Sequence, residues 1–125
     1  MPIQDPLTQQ IIGLCDRIAN TLGHGFAEKV YENALAFELR RAKVAFVQQQ
    51  SIEQCSICCK SIVEVKAIQA MSDVDVAQGL NDLRATGLQT CLLINFGKAK
   101  IEVRRLGMGP GKGTGDMELE VKDIQ

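Results

Sequence analysis

Residues 60–96 run strand, helix, strand, and that succession leaves few folds open. "KSIVEVKAI" (60–68) reads as a strand bounded by polar stretches. "SDVDVAQGLNDLRATG" (72–87) reads as a helix. Ser72 supplies an N-cap, acidic residues fill the first turn, Val76, Leu80 and Leu83 make the apolar face, and Gly87 is the stop. "TCLLINF" (90–96) is apolar throughout, as a buried strand would be. Two strands joined through a helix suggest a parallel crossover, with the helix laid on the sheet.

The rest of the chain supplies the other layers. Leu7, Ile11, Leu14, Ile18 and Leu22 form one helical stripe, flanked by Ile12, Cys15 and Ala19. Gly23–His24–Gly25 breaks that helix. A second helix is expected over 26–42, with Phe26, Val30, Ala34 and Phe37 facing inward. "VAFVQQQ" (44–50) is a short strand candidate, and "KIEVRRL" (100–106) an alternating final one. The expected class is α/β or α+β, a small mixed β-sheet flanked by helices. Residues 1–106 make the domain. Residues 107–125, with glycine at every second position from Gly107 to Gly115, make a flexible tail in which "MELEV" could form a weak strand. That glycine spacing fits neither collagen nor a phosphate-binding loop around Lys112.

Composition excludes several functions. The formal net charge is -1, so any contact with nucleic acid must come from local basic patches. No stretch has the roughly 18–20 apolar residues that span a bilayer. The first ten residues show no basic region followed by an apolar run, so no secretory signal is expected. The odd count of five cysteines, three of them at Cys55, Cys58 and Cys59, suits reduced cytoplasmic thiols better than a disulfide framework.

Glu64 and Lys66 stand out within the first of the two strands. They are two apart and share a face with Ile62 and Ile68, while Val63, Val65 and Ala67 take the other. A charged pair there is either an exposed edge or a site. In a site, the carboxylate would hold a divalent metal and the lysine would polarise the attacked group or the water.

"GHGFAEKVYENALAFELR", "IVEVKAI" and "AQGLNDLRATGLQTCLLINFG", in that order, resemble the GxxExxY protein family of the PD-(D/E)xK nuclease-like superfamily. The naming motif reads Gly25, Glu28 and Tyr31, and the likeness runs from about Leu7 to Leu106. The resemblance implies a restriction-endonuclease-like core, here reduced. It also implies Mg²⁺- or Mn²⁺-dependent hydrolysis of DNA or RNA phosphodiesters. Glu64, Lys66 and Gln78 would be catalytic, and Glu28 and Glu64 would hold metal, with Glu28 expected close to Glu64. As a bare helix acid, Glu28 would simply be exposed.

One family element departs from the pattern. The hairpin whose Asp is the first metal carboxylate is shortened, and aligning backward from Glu64 puts Gln54 near that position, with Glu53 beside it. Gln54 is neutral, and Glu53 would need a register shift that turns it to the other face. Weak metal binding and impaired turnover are therefore expected. Loss of the hairpin would expose a sheet edge for homodimer pairing. A catalytically inactive module binding nucleic acid or protein, and a defective fragment, stay open as alternatives.

Other candidates are less specific. Cys55, Cys58 and Cys59 lack a second ligand pair for zinc. His24 could act as a base but has no evident partners. Lys98, Lys100, Arg104 and Arg105 could contact phosphates or form a solvated strand face.

Overall fold

The computed structural model describes residues 6–49, 55–58, 61–108 and 119–124; for 47–49, 55–58, 108 and 119–124 the backbone path alone is described. Two helices, α1 (Pro6–Leu22) and α2 (Glu28–Arg41), precede strands β1 (Val47–Gln49), β2 (Cys55–Cys58) and β3 (Ser61–Lys66). Helix α3 (Asp73–Thr86) leads to β4 (Thr90–Asn95), β5 (Glu102–Met108) and β6 (Leu119–Ile124). The sheet order follows the chain, β1 to β6. β3 and β4 pair in parallel across the α3 crossover, with Glu64 opposite Leu93 and Lys66 opposite Asn95. The other neighbours are antiparallel. The mixed sheet between helices is the architecture the sequence leads one to expect.

Strand alternation sorts the core into two layers. Val63, Val65, Leu92 and Ile94 pack with Ile11, Leu14 and Ile18 of α1 and Tyr31, Leu35 and Leu39 of α2. Ile62, Cys91, Leu93 and Leu106 point the other way and pack with Leu83 of α3, with Val76 and Leu80 alongside. α3 lies close to the sheet because Gly79 has no side chain. A Cβ there would come within 2.6 Å of Leu106 Cδ1.

The helix ends are fixed locally. Asp75 Oδ2 accepts from the Ser72 backbone N–H at 2.9 Å, closing a capping box that the sequence had placed only as far as the Ser72 cap. Gly87 ends α3 at φ 72, a conformation that costs a residue with a Cβ. Between α1 and α2, Gly23 and Gly25 take φ 77 and 114. The buried Tyr31 hydroxyl donates to the Gly23 carbonyl at 2.7 Å and its ring stacks on Phe96 at 4.5 Å. Tyr31 thus ties the inter-helix loop to the end of β4.

The structure corrects some expectations and extends others. α2 turns Tyr31, Leu35 and Leu39 inward, whereas Phe26, Val30 and Phe37 are exposed and Ala34 is half-buried. The helix carries two adjacent apolar stripes, and the one beginning at Tyr31 meets the sheet. Cys55–Cys58, in the stretch read as a shortened hairpin, forms β2, which pairs on one side with β1 and on the other with β3. The edge of β3 is therefore covered by β2. Leu119–Ile124, overlapping the weak strand expected at "MELEV", joins the sheet beside β5. Arg105 is buried and donates to Thr90 Oγ1 at 3.3 Å, so β5 is not a uniformly solvated basic face. Gln54, Glu53 and Cys59 lie outside the described residues. No helix among those described is long and apolar enough to cross a membrane.

Candidate active site between β3 and α3

The Glu64–Lys66 face of β3 looks toward α3, and this opposition makes the site. Lys66 Nζ donates to Gln78 Oε1 at 3.0 Å. It also lies 3.8 Å from Asp75 Oδ1. Asp75 therefore caps the helix with one oxygen and pairs with Lys66 through the other. Asp75, Gln78 and Asp82 are spaced by three and four residues, which sets them on one side of α3. Just beyond Lys66, the Asn95 amide clamps the outgoing chain. Its Oδ1 accepts from Ile68 N–H at 3.0 Å and its Nδ2 donates to Ile68 C=O at 2.9 Å.

Glu64 is the most constrained group of the set. It is 1% exposed, and neither carboxylate oxygen has a hydrogen-bond donor among the described residues. Its close neighbour is the Asp82 carboxyl, whose Oδ2 is likewise buried without a donor. Two ionised carboxylates are both acceptors and cannot satisfy each other; they can share a proton or a cation. Burial foremost, then the Asp82 carboxyl, push Glu64 up to about 8, against the pull of Lys66. The site thus holds three carboxyls, from Glu64, Asp75 and Asp82, beside one ammonium.

The sequence-based candidates divide cleanly. Glu64, Lys66 and Gln78 converge. Glu28 does not join them, because it opens α2, and α2 packs on the opposite face of the sheet from α3. Its place in the first turn suits the helix dipole. His24 is exposed in the loop between α1 and α2. Lys98 and Lys100 are exposed after β4, and Arg104 shares the α3 face of the sheet, opposite Leu93. Asp75 and Asp82 were not singled out from sequence. Their signal was present in the spacing about Gln78, obscured by the adjoining Val76–Leu80–Leu83 stripe.

A family model for the PD-(D/E)XK nuclease superfamily matches residues 5–106. The chain belongs to that superfamily. In this PD-(D/E)XK protein the matched region takes in the three helices and the strands through most of β5. No curated protein and no solved structure matches the chain. Nucleases of the superfamily typically use divalent metals. Among the described residues no group of three or more His, Cys, Asp or Glu side chains is disposed to hold a metal ion. The donor chemistry at Glu64 nevertheless suits a hard cation: buried, donorless carboxylate oxygens with an excess of negative charge.

Proposed function

We propose that this chain is a GxxExxY-type nuclease that hydrolyses phosphodiesters of DNA or RNA with Mg²⁺ or Mn²⁺, at reduced turnover, in the reducing cytoplasm. The observation that carries the reading is the convergence of Glu64, Lys66 and Gln78 between β3 and α3. Glu64 offers oxygen ligands to the metal. A metal bound there would stabilise charge at the phosphate and lower the pKa of an attacking water. Lys66, oriented by Gln78 and Asp75, brings a fixed positive charge to the same place, where negative charge grows on the phosphate.

Turnover is reduced because Gln54 stands near the position where the resemblance puts a first metal carboxylate. A neutral amide is a poorer ligand for a hard cation. A cation held by few protein oxygens orients its water less firmly, and chemistry depends steeply on that orientation.

The test is cleavage of single- and double-stranded DNA and RNA with Mn²⁺ or Mg²⁺, with excess chelator as control. Slow cleavage that stops with chelator and in Glu64→Gln is expected. Cleavage that persists in either control would contradict the proposal. No cleavage of any substrate at high metal would favour the inactive binding module.

A further inference from the structure

We infer that Asp82 on α3 is the second protein ligand of the cation held by Glu64, so that the metal links strand β3 to helix α3. The inference rests on the metal-dependent reading above. It adds, from helix α3, a ligand that neither the motif nor the resemblance marked.

Two independent observations carry it. Glu64 is 1% exposed and both its oxygens lack a donor among the described residues. From the facing helix, Asp82 presents a buried oxygen in the same condition. Donorless acceptors buried on two facing elements cost stability unless something positive joins them. The cation already present, Lys66, is engaged elsewhere, by Gln78 Oε1 and Asp75 Oδ1. Asp75 is also excluded as the bridging ligand, because its other oxygen accepts from the Ser72 N–H and hydroxyl. Asp82 has no such commitment at Oδ2, which is buried without a donor among the described residues.

The chemistry selects the class of ion. Carboxylate oxygens favour Mg²⁺ or Mn²⁺ over softer metals. Mg²⁺ is commonly bound through one or two carboxylates, with water and substrate phosphate completing the shell. A Glu64–Asp82 pair therefore suffices for a site that leaves several positions open to substrate. Binding also draws α3 onto β3, beside the close approach to β4 and β5 that Gly79 permits.

Isothermal titration of the full chain with Mn²⁺ tests this, using Asp82→Asn, Asp82→Ala, Glu64→Gln and Asp75→Asn. Urea midpoints of the metal-free proteins are measured alongside. Losing even an outer-shell partner of a metal ligand costs about 10–100-fold in affinity. Both Asp82 variants are therefore expected to bind at least about tenfold more weakly, and Asp75→Asn to lose less than either. In the absence of metal, Asp82→Asn is expected to be the more stable protein, since it removes one of two facing acids and offers an amide donor to Glu64. A purely structural Asp82 would give the opposite sign. Binding retained in both Asp82 variants but lost in Glu64→Gln overturns the inference and leaves the metal-dependent reading intact. Loss of binding with a less stable metal-free Asp82→Asn overturns it too. No uptake of Mn²⁺ by the unmodified chain overturns both.

Discussion

Replacing Lys66 by alanine is expected to lower metal-dependent cleavage by about 10²–10³-fold, the usual cost of removing one preorganised electrostatic stabiliser of a transition state. The expectation follows from how tightly the side chain is held. Its Nζ lies 3.0 Å from Gln78 Oε1 and 3.8 Å from Asp75 Oδ1, so the charge needs little reorganisation as the reaction proceeds. The carboxyls of Asp75 and Glu64 lie beside it, and without the ammonium the phosphate would approach an uncompensated negative field. Lys66→Arg retains charge but not the compact head group, and should recover only part of the rate. Cleavage rates measured at saturating Mn²⁺ separate this effect from metal binding. A Lys66→Ala protein that cleaves as fast as the unmodified chain would exclude Lys66 from the chemistry.

Stability of the metal-free protein is expected to fall as pH rises through the window set by Glu64. An unfolded glutamate gives up its proton near 4.5, whereas the folded one keeps it to about 8. Between those values the folded state binds more protons than the unfolded state. Unfolding free energy therefore decreases with pH, by up to roughly 1.4 kcal/mol per unit. Below the window both states are protonated and the contribution is fully present; above it both are ionised and the contribution is lost. The groups facing Glu64 are Asp82 and Asp75 of α3 and, on its own strand, Lys66. Glu64→Gln should flatten the slope and leave the protein more stable at the alkaline end. Urea denaturation in chelator across the window checks this. Equal slopes for both proteins would show that Glu64 is ionised throughout.

What the sequence made legible was whatever depended on local pattern. The strand at Glu64 and Lys66, the α3 boundaries at Ser72 and Gly87 and the parallel crossover follow from period, capping and order. So does the shared face of Glu64 and Lys66. Local pattern could not choose between two competing stripes on α2. Val30, Ala34 and Phe37 repeat as well as Tyr31, Leu35 and Leu39, and the choice is made by packing on Val63, Val65 and Phe96. The bounds and pairing of β2 were not legible, because four residues of Cys, Ser and Ile between polar neighbours carry almost no periodic signal. Glu28 was drawn toward Glu64 by a motif, yet only the sheet decides which layer a helix occupies. Asp82 was missed for the complementary reason. The spacing about Gln78 sets it on that side of α3, but its meaning depends on an unsatisfied carboxylate on a different element.

The central claim is that the β3–α3 interface beside Lys66 is a divalent-cation site. Crystals of the full chain grown with Mn²⁺ and measured for anomalous scattering address it directly. The account predicts one strong Mn²⁺ peak bonded to carboxylate oxygens of Glu64 and Asp82, with Lys66 still engaged by Gln78. A peak elsewhere, or no peak with Glu64 and Asp82 hydrogen-bonded to each other at saturating Mn²⁺, would contradict it.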